Sequence, residues 1–179
     1  SCALDVGVSP PSKLNLGHLD PINLRIGKIQ IKNNLRQNID GKQEVQLVSS
    51  LMASIESWAA RRLKPVGSMS ADRLILSINN LSAIKTDLIL DKSFSGLFLE
   101  QQSHGYSFKI SVFLEVLGEA GEKKANSEIV ITKKTTTPEG LTVNERERLL
   151  LKVQKKIMLE FDQALVLNIS KYFFNWLEK

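Results

Sequence analysis

The last fifth of the chain, Thr142 to Lys179, contains no glycine and no proline. Thr142 and Glu145 stand at capping-box spacing, in which a hydroxyl and a carboxylate satisfy two otherwise orphan backbone N–H groups at a helix start. Apolar residues then recur at Leu150, Val153, Ile157, Phe161, Leu165, Tyr172 and Trp176, the spacing of a stripe along one helix face. An unbroken helix over this stretch runs about 50 Å at 1.5 Å per residue, more than one side of a small domain usually covers. The expectation is that the helix breaks, or that part of it meets something besides its own core. The end sharpens this. Tyr172, Phe173, Phe174, Trp176 and Leu177 wrap around the axis, so some are exposed or meet a partner, a lipid or a folded-back segment. These five are the candidate residues for partner or lipid contact, and docking of the chain end onto the core is the plain alternative.

Upstream, INLRIGKIQI alternates on Ile22, Leu24 and Ile26, then on Ile29 and Ile31, a change of phase that predicts a β-bulge at Gly27-Lys28. A helix is expected over Lys42 to Leu63, capped by Asp40, with Trp58 beside its apolar stripe and Lys64-Pro65 ending it. Ala71 to Asn80 reads as a strand with Leu74, Leu76 and Ile78 facing one way. Ile84 to Glu100 reads as one or two strands with a turn. Tyr106 to Leu117 carries the clearest alternation, with one face for a core and one for water. A polar loop over Gly118 to Asn126 leads to a hairpin partner, Ser127 to Thr136, and Pro138-Glu139-Gly140 turns the chain into the long helix. The order predicts an α+β fold: a twisted, mainly antiparallel sheet with two helices on one face, the second a long C-terminal helix.

Length and composition fit one domain. The chain has 179 residues, 42% of them hydrophobic and 24% charged, and no apolar run long enough for a membrane-spanning helix. The net charge of +5 is dispersed in doublets, Arg61-Arg62, Lys123-Lys124, Lys133-Lys134 and Lys155-Lys156, a solvated surface more than a nucleic-acid face. A basic nucleic-acid-binding module remains an alternative reading, although no nucleic acid is expected as a partner. The two histidines, His18 and His104, have no metal-ligand companions at a recognised spacing, so no metal or cofactor is expected. His104, read as a loop tip, is the candidate base of an alternative soluble hydrolase using nearby carboxylates. Asp162 is read as a carboxylate on the helix surface near Lys155 or Lys156. A groove between sheet and helices, or along a free sheet edge, suits an apolar ligand or a partner strand.

The lone cysteine, Cys2, rules out an internal disulfide. Ser1-Cys2 looks like the end of a bacterial lipobox, and the Pro-, Ser- and Gly-bearing stretch behind it has the composition of a tether. The first residue is not Met, so a mature or truncated form is expected. Residues 1–19 are therefore read as a lipid-proximal tether and 20–179 as a single α+β domain. Cys2 is the candidate lipidation site. With Ala3 after it instead of aspartate, the resemblance to bacterial lipoproteins implies the periplasmic face of a Gram-negative outer membrane. Cys2 with its tether, the early strand, the Trp58-bearing helix, ADRLILSI at Ala71–Ile78, the hairpin and the terminal helix together resemble the ABC-type transport auxiliary lipoproteins of bacterial envelopes. That resemblance implies a non-catalytic accessory role in lipid transport or envelope assembly, with an envelope protein partner and a lipid as the possible ligand.

Overall fold

Residues of alternating polarity build the main sheet. A computed structural model describes residues 19–35, 44–88 and 102–178. In β5 (Gln102–Leu117) the side chains of Tyr106, Phe108, Ile110, Val112, Leu114 and Val116 are all buried. β5 pairs antiparallel with β4 (Arg73–Asp87) on one side and β6 (Lys123–Pro138) on the other. β2 (Lys28–Asn33) adds to β4 in parallel, giving the order β2-β4-β5-β6. A parallel neighbour requires a crossover, and α1 (Val45–Arg62) lies within the segment that makes it. α2 (Val143–Tyr172) follows β6, and both helices bury their apolar stripes on the face that carries Leu74, Leu76 and Ile78. The architecture is the expected α+β arrangement.

Several local expectations change. The helix does not break within its 30 residues, because the strands beneath it are equally long. Sixteen-residue strands such as β5 and β6 extend about 53 Å at 3.3 Å per residue, against about 45 Å for α2. The Thr142–Glu145 capping box forms as expected, and the Thr142 hydrogen bonds hold the Glu145 carboxyl below its usual range. Tyr172 falls outside the buried stripe, which instead continues through Ile169 to Phe173. The phase change at Gly27-Lys28 is not a bulge. β1 (Ile22–Leu24) pairs in parallel with β3 (Leu63–Pro65) in a separate small sheet, and the chain then crosses to β2. Gly27 makes the crossing possible, since a Cβ there would lie 2.2 Å from the Ser70 carbonyl oxygen.

Other boundaries move too. α1 does end at Arg62, but Leu63, Lys64 and Pro65 form the strand β3 rather than a simple stop. β6 begins at Lys123, four residues before the expected start. The hairpin closes through Gly118 to Glu122 with Gly121 at φ +84°, where glycine is favoured. β4 runs on to Asp87, with its bulge between Ile78 and Asn80. Cys2, His18, Asp40 and residues 89–101 lie outside the described residues.

The two helices run side by side in the same direction. Ser50 of α1 donates to Gln154 of α2 at 3.0 Å, and Trp58 donates to Asp162 at 2.9 Å, so the contacts advance together along both helices. Asp162 is not the surface carboxylate expected. It is buried, accepting from the Trp58 indole and from Arg62 Nε at 2.8 Å, while the Trp58 ring meets Phe161 edge-on at 5.2 Å. Its position near the apolar stripe is explained by the partner helix, which brings a donor and a cation to it. Removing the carboxylate leaves an indole N–H and a guanidinium facing a dry interface. Asp162→Ala is expected to cost about 3–5 kcal/mol of unfolding free energy in urea denaturation, a magnitude typical of breaking a buried pair. Asp162→Asn, which keeps an acceptor for Trp58, loses less.

Candidate functional site

α2 ends where its apolar stripe turns inward. The Phe173 N–H still bonds to the Ile169 carbonyl at 2.9 Å, but Phe173 leaves helical geometry, buries its ring, and passes the chain into a 3-10 turn, Phe174–Trp176. Beyond it the backbone is taken up by β1. Arg25 N–H donates to the Trp176 carbonyl at 2.6 Å, Glu178 N–H donates to the Asn23 carbonyl at 3.1 Å, and Leu24 and Leu177 form an antiparallel bridge. Side chains reinforce the seam. Asn23 donates to the Glu178 carboxylate at 2.8 Å, and Arg25 donates to the Asn175 carbonyl at 3.0 Å. The segment after α2 thus docks back onto the fold along β1.

The five candidate contact residues divide. Phe173 is buried, while Trp176 and Leu177 are half-buried against the core. Tyr172 and Phe174 stay in solvent, at 45% and 60% exposure, with Lys171 Nζ 4.9 Å from the centre of the Tyr172 ring. Beneath Phe173 and Trp176 lies an apolar cavity of about 10 Å³ lined by Leu24, Ile26, Leu74 and Val116. It has room for a water-sized body and none for an acyl chain.

Asp72, on the loop before β4, is the polar centre of this end. Its carboxylate accepts from Lys124 Nζ at 2.6 Å and from the Trp176 indole N–H at 2.8 Å, so one side chain ties the hairpin and the terminal turn to the loop. The Lys124 hydrogen bond, followed by that of Trp176, lowers the Asp72 pKa below the ordinary aspartate value. Neither Asp72 nor Arg25 stands out in the sequence. The only hint is that Arg25 interrupts two residues, Leu24 and Ile26, that are both buried.

Three cations of the lysine doublets are paired with carboxylates. Lys123 pairs with Glu115, Lys124 with Asp72, and Lys133 with Glu160. At the opposite end of the sheet, His104 lies within β5 rather than on a loop tip, with its Nδ1 2.9 Å from Asp87 Oδ1 across the β4–β5 ladder. Its neighbour on the other side is Thr137 of β6, whose hydroxyl is buried with no hydrogen-bond partner among the described residues. A carboxylate-oriented imidazole is part of a hydrolytic arrangement, which also needs a nucleophile within reach of the ring. Among the described residues no hydroxyl or thiol bonds to His104, and no three acidic, histidine or cysteine side chains gather as metal ligands.

No family model matches the chain, and no curated protein matches it in sequence. Similar solved structures are a minor lipoprotein from Acinetobacter baumannii, at 10% identity, with 86% of this chain and 96% of that one covered and a TM-score of 0.42. Another is the rare lipoprotein B from Shewanella oneidensis, at 16% identity, with 80% and 95% covered and a TM-score of 0.40. A third is a lipoprotein from Neisseria meningitidis, at 10% identity, with 77% and 99% covered and a TM-score of 0.29.

The Asp72 pairing gives this end of the molecule a pH dependence. A carboxylate whose folded pKa is depressed stabilises the fold fully above its unfolded value of about 4, and that contribution fades as pH falls through the lower folded value. In a Trp58→Phe background, Trp176 emission is expected to shift as pH falls below about 4, and Asp72→Asn removes that step. A separate change probes the buried hydroxyl. Thr137→Val is expected to be neutral or to raise stability by about 1 kcal/mol, because an apolar isostere removes an unsatisfied group. A loss of that size in urea denaturation would instead show that the hydroxyl has a partner.

Proposed function

We propose that this chain is a non-catalytic accessory protein of the Gram-negative cell envelope. Lipid on Cys2 holds it at the periplasmic face of the outer membrane, where it serves lipid transport or envelope assembly by binding a protein partner or a lipid at its surface. The observation that carries this reading is the way the segment behind Cys2 joins the fold. Leu19 packs on the core, and β1 is hydrogen-bonded on one side to β3 and on the other to the terminal turn. A load applied through the tether therefore falls on a strand held along both edges. Ser1-Cys2 and the Pro- and Ser-bearing stretch between them and Leu19 supply the chemistry and spacing of an anchor.

Growth of a Gram-negative host with labelled palmitate tests the anchor. The full-length precursor is expected to take up label at Cys2 and to fractionate with the outer membrane, and Cys2→Ser takes up none. A wild-type chain that stays unlabelled overturns the anchored reading.

A further inference from the structure

The large apolar side chains that the fold leaves in solvent are not evenly spread. Nine are exposed among the described residues, and two of them, Val45 and Val143, sit at the helix starts, while Ile84 and Val130 are solitary on sheet strands. The other five, Val66, Met69, Leu167, Tyr172 and Phe174, belong to the end where α2 stops or to the last turns leading into it. They include both exposed aromatics. Val66 N–H bonds to the Leu24 carbonyl, and Asp72 closes the same loop onto Trp176, so the loop bearing Val66 and Met69 is tied to β1 and to the terminal turn. The seam beneath is built from the rest of this turn, with Phe173 buried and Trp176 and Leu177 partly covered. Tyr172 and Phe174 are thus surplus to the packing of their own fold.

From this distribution we infer that the end carrying Tyr172 and Phe174 is a second, non-covalent contact with an anionic lipid surface. The orientation rests on the anchored reading of Cys2; the contact itself does not. Two observations select lipid. The chain beyond the described residues joins the fold at Leu19, and the strand that starts three residues later is the one bonded to the turn bearing Phe174, so an anchored molecule presents this end to its membrane first. A cation also stands directly beside the exposed rings. Lys171 stands over the Tyr172 ring and Arg25 reaches Asn175 beside Phe174, while Asp72 is already neutralised by Lys124. Glu178, which accepts from Asn23, keeps its charge, so it is Lys171 at the rings and not a net basic surface that meets the headgroups. Aromatic rings with a cation beside them partition to the headgroup boundary, where the ring is desolvated and the ammonium stays wet. Lys171 at the C-terminal end of α2 also answers the helix dipole, and that role alone leaves the exposed rings unexplained.

The test uses the full chain with Cys2→Ser, so that no covalent lipid contributes, and vesicles of phosphatidylcholine with 30% phosphatidylglycerol (a test composition of roughly that anionic fraction). Co-sedimentation is expected to show partitioning that falls by about tenfold or more when Tyr172→Ser and Phe174→Ser are combined, from the apolar surface withdrawn. Lys171→Glu is expected to weaken binding to these vesicles and to leave binding to pure phosphatidylcholine unchanged. Far-UV circular dichroism and the urea midpoint confirm that the variants stay folded. In cells, a photoreactive phenylalanine analogue at position 174 is expected to cross-link to lipid. Equal partitioning of parent and double variant overturns the inference, and so does cross-linking of position 174 to protein alone, which would assign the turn to a protein partner. Because the vesicle assay contains no lipid on Cys2, its failure is distinct from failure of the labelling experiment.

Discussion

Two long helices that cross a sheet in the same direction need something to set their register, since apolar stripes alone slide past one another at little cost. Asp162 supplies it. Its carboxylate takes one bond from Trp58 and a pair from Arg62, which lie one turn apart on α1 and so meet a single point on α2. Moving either helix by a turn would strand a guanidinium and a carboxylate in a dry contact. The position of α1 against α2 then decides how far α2 projects beyond α1, and with it where Phe173 leaves the core and where the terminal turn meets β1. Ser50 and Gln154, two turns earlier, repeat the constraint with neutral groups.

What was legible in the sequence was whatever depended on local periodicity. The alternation of β5 and the Thr142–Glu145 box were plain because neighbours in sequence are neighbours in the element. The length of α2 looked excessive because the strands were read short; β6 hides its first turn of pairing behind Lys123, Lys124 and Asn126, polar residues that a hairpin edge tolerates. Asp162 was misread for a different reason. Lys155 and Lys156 were the cations visible nearby, and nothing local to α2 announces that Arg62, 100 residues earlier, lies closer.

The candidate site shows the same division. That Tyr172 to Leu177 exceeded one helix face was readable from composition, and the structure shows how the excess is resolved: three side chains turn in or lie across the seam, and two stay outside. Which two depended on where helical geometry ends, and that is decided by β1, about 150 residues away. Nothing set Asp72 apart from a solvated carboxylate, or marked Arg25, because a single charged residue in a loop or beside a short strand carries no period.

The bond between β1 and the terminal turn also bears on the order in which the molecule is made. Asn23 and Glu178 are separated by 155 positions, so this contact closes a very long loop. Contacts of such span are slow to form, and here the waiting is built in, because the turn that pairs with β1 is synthesised 155 positions after it. Until it arrives, β1 has β3 on one edge and an unpaired row of backbone groups on the other. β1 is therefore completed only after α2 has been made, and a chain cut short before Asn175 would open first at β1.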